Sequence, residues 1–531
     1  MITDININKK PFSSKQFIGF GINFIAGFAF VAIVLSLFSI GPLWILVFAI
    51  CSLIALAVML SFSKMSESSP ERFGGPYIYA SEAFGRKTLG ARMFVFLTGW
   101  NNYVGPLIAS ATVPLFLVSV FASFIDKNNT TAKWGLILGG LFIFVFLIFI
   151  STLGYQLSKG LIFTFAFVKW LILFSSLIFA IVLIAQTAGI GFSENYLLTY
   201  NNKPREISLP KIVAISTAFF YAYGGFEDLA CMSPEVKTKS FKKDLNIIFI
   251  IVFIIVFIIY AFGIVIFSGL PVGDGSSRAS IRIKNYSDVY RAVGGIVALS
   301  FFAIGSLSNS IASRISGSLT ASYKLVPLSE DGYLPKYFLV KNSKNKFSRI
   351  IYLTLALSLG LMILIFFGSL INDKTDFDLA VTRAAGISGA SGLFQYVLGF
   401  ITFFVYYHKG KIKDKTNWRN ITSLIIQIVS LVLILIILFI FFFPIDTKIV
   451  QGKSIVFLNW TIQNTLNITL YPAVLLLGYI MFFIAEHNAK KNTRINLTSI
   501  QNSRTHAYKR KYQFFVFNSH NEFKQDINQN P

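Results

Sequence analysis

A succession of long apolar runs constrains this chain more than any other feature of its sequence. Stretches of about 18 or more apolar residues, the length a helix needs to cross hydrocarbon, give twelve candidate spans. They begin near residues 17, 43, 93, 134, 160, 211, 246, 290, 350, 383, 421 and 466. A bilayer core offers no water to unpaired amides and carbonyls, so such runs are expected to be helices that satisfy their own backbone. With 55% hydrophobic and only 13% charged residues, the composition is far from that of an ordinary soluble domain. The sequence therefore predicts an all-α integral membrane protein with twelve transmembrane helices.

The formal charge of +24 does not point to nucleic acid, because such binding needs basic residues gathered on one face of a water-soluble module, and here they lie between apolar runs. Assigning alternate loops to opposite sides puts most of the 47 Lys and Arg on the amino-terminal side. The positive-inside rule then places both termini in the cytoplasm of a multi-pass cell-membrane protein. The first apolar stretch, 17–39, exceeds a signal-peptide core and has no small-residue cleavage pattern behind it, so it is expected to remain as the first span. Cys51 and Cys231 both fall in predicted spans and read as packing residues, with neither a disulfide framework nor a zinc site implied. Beyond residue 486 the chain turns polar, with Lys490, Lys491, Arg494, Lys509, Arg510 and Lys511 among many Asn and Gln, and reads as a solvated tail.

Two spans are interrupted. The first carries Gly19, Gly21 and Gly27, and the sixth carries Gly224 and Gly225 followed at once by Glu227 and Asp228. Gly19 and Gly21 are expected to serve close helix packing, whereas unwinding is expected near Gly27. At Gly224 and Gly225 a break is expected, because Tyr221, Tyr223, Glu227 and Asp228 put polar groups around the same turn. Non-helical backbone at membrane depth survives only where protein or a solvated cavity covers it, and a discontinuous helix marks a transporter binding site. The offset of five spans suits an inverted repeat of five plus five helices with the site at their interface.

Ionisable residues inside the apolar runs sharpen this reading. Lys169 lies ten residues into the fifth span, about 15 Å deep at the helical rise. A lysine at a helix centre costs about 2.5 to 3.5 kcal/mol on insertion scales, so Lys169 is expected to face a cavity or a partner and to couple transport to protons. Protonated, it would place positive charge beside the unwound first helix. Glu227 is the second coupling candidate, since an acid beside the break can hold exposed amides, exchange protons or attract a cationic group. Asp228 reads as a cap or a solvated neighbour. Arg314 reads as structural, with its head snorkelling to the interface from near the end of the eighth span.

Three stretches together resemble the amino acid, polyamine and organocation (APC) superfamily of permeases: RFGGPYIYASEAFGRKTLGARMFVFLTGW at 72–100, FFYAYGGFEDLACMSPEVK at 219–237 and SEDGYLPKYF at 329–338. With the span pattern, the likeness extends to about residue 485. It implies the leucine-transporter-type fold, a 5+5 inverted repeat plus two extra helices, moving amino acids by alternating access. The domains expected on this basis are a cytoplasmic N-terminus at 1–16, a ten-helix transport core at 17–407, helices 11 and 12 at 408–486, and a polar cytoplasmic tail at 487–531.

Carried over by position, the family's unwound first-helix motif falls on Gly27, Phe28 and Ala29, a departure from its usual Gly-Ser-Gly, and backbone amides there would meet a substrate carboxylate. By the same likeness the carbonyls of Ile25, Tyr221 and Gly224 would take the substrate amino group, with Gly225 and Phe226 completing the site. Tyr221 falls where the family often has an aromatic lid. Lys169 matches a fifth-helix lysine that proton-coupled members place where sodium-coupled relatives hold an ion. Two further departures are Lys64, where the second helix often ends in an acid, and Tyr323, where an arginine is common.

A membrane-embedded enzyme would need a nucleophile with its base, a metal constellation or a donor-binding motif. The sequence shows none: His408, His487, His506 and His520 fall in loop or tail, and no Walker-type motif is present. Neither a cofactor nor a metal is expected; the expected partners are an amino acid substrate, protons and the lipid bilayer. Asn101, Asn102 and Tyr103 are expected to hydrogen-bond between helices. An exchanger or facilitator of the same fold is the near alternative, and a transport-inactive nutrient sensor the different-class one.

Overall fold

The computed structural model describes residues 12–25, 37, 40, 43–67, 72–122, 124, 130–152, 155–187, 189, 192, 199–200, 203–204, 209–220, 223–270, 286–343, 346–370, 377–412, 418–443, 445–450, 453–458 and 462–495. In chain order the helices are α1 (Ser14–Ile25), α2 (Trp44–Met65), α3 (Pro76–Phe84), α4 (Leu89–Ala122), α5 (Thr130–Ser151), α6 (Tyr155–Gln186), α7 (Leu209–Phe220), α8 (Phe226–Ala230), α9 (Phe241–Ser268), α10 (Tyr286–Glu330), α11 (Ser348–Leu370), α12 (Phe377–His408), α13 (Trp418–Phe442) and α14 (Ile462–Ile495). Short ladders accompany them. Strand β1 (Phe12–Ser13) pairs in parallel with β4 (Val236–Lys237), β2 (Thr199–Tyr200) runs antiparallel to β3 (Lys203–Pro204), and β5 (Ile445–Val450) antiparallel to β6 (Lys453–Leu458).

The polarity of the molecule is that of a protein dissolved in hydrocarbon. Phe142, Phe167 and Val297 are each more than 70% exposed, while Lys169, Glu227, Asp228, Arg314 and Lys324 are buried. Water would reverse this arrangement. Among the described residues, eight helices are long and apolar enough to cross a membrane, and Leu138–Ser151 and Leu209–Phe220 form shorter apolar helices.

Helix α4 is the hub, packing against α3, α5, α10, α11, α12 and α14. Its polar residues tie helices together, as the sequence suggests. Asn101 Nδ2 donates to Ser391 O (3.2 Å) and Gln395 Oε1 (2.9 Å) on α12, and its Oδ1 accepts from the Tyr471 hydroxyl of α14. The Tyr103 hydroxyl donates to Thr354 Oγ1 on α11 (3.0 Å).

Glycine sets how closely the helices approach. A Cβ on Gly21 would lie 2.6 Å from Ile248 Cδ1 and one on Gly19 3.3 Å from the Phe163 ring, so both serve packing. The tightest approach involving backbone is α12 on α7, where a Cβ on Gly389 would sit 2.0 Å from Thr217 O. In lipid, which gives helices no hydrophobic reason to associate, such close contact supplies the dispersion energy that water-driven burial supplies elsewhere.

Helix α10 departs from the sequence reading. It begins at Tyr286 and breaks its helical path at Gly294 (φ −129°) and Gly295 (φ 61°), so that an approach segment turns into a long second one reaching Glu330. The glycine pair tolerates a left-handed residue that a side chain would oppose. Within the long segment, the hydroxyls of Ser306, Ser310, Ser316 and Ser318 donate to carbonyls four residues earlier, which satisfies them without any partner helix.

The ends of α10 and α12 hold α3. Tyr77 OH donates to Asp331, Arg86 forms an ion pair with the same carboxylate, and the Tyr406 hydroxyl donates to Glu82 Oε2 (2.6 Å). Burial, the Asp331 charge and its hydrogen bond push the Tyr77 phenol well above its usual range, so it stays protonated and can donate to Asp331. The departures at Lys64 and Tyr323 are absorbed by aromatic contacts, Lys64 over the Phe403 ring and Tyr323 stacked on Phe73.

Between α10 and α11 the chain caps the end of α5. Lys346 Nζ donates to Ser151 O (3.0 Å) and Asn342 Nδ2 to Thr152 O (3.1 Å), filling carbonyls that the helix leaves unpaired. Burial lowers the Lys346 amine from 10.5 to about 8. The unfolded chain therefore binds more protons between those values, and stability rises with pH across that window. Measured by thermal unfolding in detergent, the protein should gain stability from pH 8 to pH 10 relative to a Lys346→Met variant; a constant difference would contradict this. Gly389→Ala should lower the unfolding temperature, costing about 1–3 kcal/mol by overpacking. Gly392→Ala, whose Cβ meets nothing within 4 Å, is the control.

Candidate functional site

The sixth span is broken where its sequence predicts. Helix α7 ends at Phe220 and α8 begins at Phe226, with Tyr223 to Gly225 in a turn and Gly225 at φ 122°. That angle suits glycine, and so does the space. A Cβ on Gly225 would lie 2.8 Å from the Phe24 ring and 3.3 Å from Ile25 Cγ1, so the missing side chain lets α1 rest on the turn. Two predicted site residues, Ile25 and Gly225, are thereby brought together.

Glu227 closes the break. Its Oε2 accepts the Gly225 amide (3.3 Å) and the Tyr396 hydroxyl of α12 (2.9 Å). The carboxylate thus satisfies an amide released by the break and fastens the turn to a neighbouring helix. Tyr223 points the other way and shares a hydrogen bond with Ser52 Oγ of α2 (2.9 Å). Phe226 is buried with its ring 5.4 Å from that of Phe249 on α9.

Lys169 stands beside the first helix. It is 1% exposed, its Nζ donates to Asn23 O (2.8 Å), and it lies 5.1 Å from the Trp170 ring centroid. Gly224 lies in the turn, half-buried. Gly27, Phe28, Ala29 and Tyr221 lie outside the described residues.

Two expectations are corrected. Asp228 is neither a cap nor solvated: it is buried and forms an ion pair with Lys324 of α10, whose Nζ also donates to Asn102 O of α4 (2.9 Å). Arg314 does not snorkel. It is 5% exposed, with its guanidinium 5.4 Å from the Phe144 ring centroid on α5.

Lys324 escaped the sequence reading, because it follows the apolar run of the eighth span and counts there as a loop cation. A signal was present. Ala312, Ser316, Thr320 and Lys324 repeat at every fourth position, so a helix continuing past the apolar run puts the lysine on the same small-residue face, and all four are buried.

Among the described residues, no group of three or more His, Cys, Asp or Glu is placed to hold a metal ion. Cys51 and Cys231 are buried free thiols. The Cys231 thiol donates to Glu227 O (3.3 Å) and accepts from Asn102 Nδ2 (3.4 Å).

An apolar exterior, buried charges and a glycine-broken helix define a polytopic helical membrane protein. The chain belongs to the amino acid permease family, whose sequence profile matches residues 12–464. It is 37% identical over 499 residues to the uncharacterized protein MG225 of Mycoplasma genitalium, covering 93% of this chain and 99% of that one. It is also 33% identical over 512 residues to the uncharacterized protein MG226 of the same organism, covering 92% and 98%. An MG226 homolog of Mycoplasma pneumoniae is 34% identical over 499 residues, covering 90% and 95%. Membership of the family implies a membrane transporter.

Removing one member of a buried ion pair leaves an uncompensated charge in an apolar interior, which costs about 3–5 kcal/mol, whereas removing both costs much less. Asp228→Asn and Lys324→Met should each lower the unfolding temperature in detergent more than the double variant does. Additive losses in that cycle would contradict a direct pairing.

Proposed function

We propose that the protein is a secondary active transporter that moves amino acids across the cell membrane by alternating access, coupled to protons. In this reading twelve spans form a ten-helix core of two inverted five-helix repeats and two further helices, with both termini in the cytoplasm. The observation that carries the reading is the break between α7 and α8 packed directly on α1, with Lys169 bonded to the α1 backbone.

The substrate would lie where α1 and the sixth span lose their regular winding. Backbone amides near Gly27, Phe28 and Ala29 would take its carboxylate, and the carbonyls of Ile25, Tyr221 and Gly224 its amino group, with Gly225 and Phe226 shaping the wall. Unpaired donors at a half-helix start favour an anion, and unwound carbonyls favour a cation, so a zwitterion suits both. Glu227 would keep the turn open and near a proton path.

Lys169 would be the coupling residue. As an ammonium it makes a charge-assisted hydrogen bond to Asn23 O, stronger than a neutral amine would make. Losing the proton would loosen α6 from α1 and so tie a proton to the movement of the substrate helix. Labelled amino acids offered to proteoliposomes, with and without an imposed pH gradient, test this. At least one should accumulate with the gradient, and Lys169→Ala should remove the gradient-driven part, about tenfold or more. Gradient-driven uptake that survives in Lys169→Ala would contradict the coupling role.

A further inference from the structure

Helix α8 has only five residues, too few to stand without tertiary support. It hangs between the Gly225 turn and the 3-10 turn Ser233–Glu235. Its middle and its carboxyl-terminal cap are fastened to the same place. Asp228 pairs with Lys324, whose Nζ also grips Asn102 O, while the Asn102 side chain donates to Cys231, the residue just after α8. The Lys324 and Asp228 side chains are 0% and 4% exposed. Lys324 lies six residues before the end of α10, about 9 Å along the helix axis.

We propose that the Asp228–Lys324–Asn102 contact is a gate. It holds α8 against α4 and α10 in the closed state, on the side of the membrane where α10 ends, and opens once in each transport cycle. The inference rests on the transport reading above and names residues which that reading does not use. Two charges in an apolar interior are stable when paired or when hydrated, and poorly stable in between. A contact of that kind gives two discrete states, closed and water-filled, which is what an alternating gate requires. Asp228 and Lys324 are positioning residues here; neither is placed against the substrate.

Cys231 reports on the gate, since it is 0% exposed beside Asn102. In a Cys51→Ser background it is the one thiol in the chain. Its alkylation by N-ethylmaleimide in proteoliposomes should quicken about tenfold when the transported amino acid is added. It should also quicken about tenfold without amino acid in Asp228→Asn/Lys324→Met, which removes the clasp and leaves no unpaired charge. A static brace would also expose Cys231 when removed but would show no substrate effect, so labelling that the amino acid leaves unchanged or slows would overturn the proposal. Should the double variant fail to fold, the substrate arm decides: faster labelling supports the gate, and unchanged or slower labelling refutes it. If no amino acid in the panel is taken up, the transport reading fails and the gate, which rests on it, fails with it; uptake without faster labelling refutes the gate alone.

Discussion

A backbone that leaves its helix inside a bilayer finds no water to replace the lost hydrogen bonds, and the carboxylate of Glu227 meets that constraint. It accepts the Gly225 amide and the Tyr396 hydroxyl together. The rest of the site follows from the open turn this permits. Gly225 can lie flat against Phe24 and Ile25, α8 can begin anew, and Asp228 is turned toward Lys324. An unanswered amide at this depth would cost several kcal/mol and draw the segment back into a continuous helix.

The remaining buried charges obey the same rule through different partners. Lys169 meets a backbone carbonyl, Lys324 a carboxylate and a carbonyl, and Arg314 an aromatic face. Each sits at a junction between helices. The exposed apolar side chains of α5 and α6, by contrast, face away from the polar contacts and need only match lipid. Charge inside and hydrocarbon outside therefore divide the molecule into parts that choose partners and parts that do not.

Much of this was legible in the sequence, for physical reasons that can be named. Apolar runs locate helices because the bilayer fixes their length, and the Gly-Gly pair at 224–225 located the break because polar residues crowd it. Lys169 was legible because a largely apolar run on either side leaves a lysine at mid-span no way out to water. Asp228 was misjudged because its partner, Lys324, lies on a different helix far along the chain, and Arg314 because distance from a predicted span end is a poor guide to burial when the helix runs on. Lys324 was missed for the same reason: α10 continues to Glu330 on serine and alanine, which hydropathy does not recognise as membrane-embedded. The kink at Gly294 and Gly295 was not foreseen, since a glycine pair in an apolar run reads equally as packing.

The central claim is that the break between α7 and α8, resting on α1, is where an amino acid binds. Backbone amide exchange of the protein in lipid, followed by mass spectrometry with and without a transported amino acid, tests it directly. The account predicts slower exchange in peptides covering residues 220–228 and 23–31, and little change in the lipid-facing parts of α5 and α6. Protection confined to other regions, with both of those peptides unaltered, would contradict it.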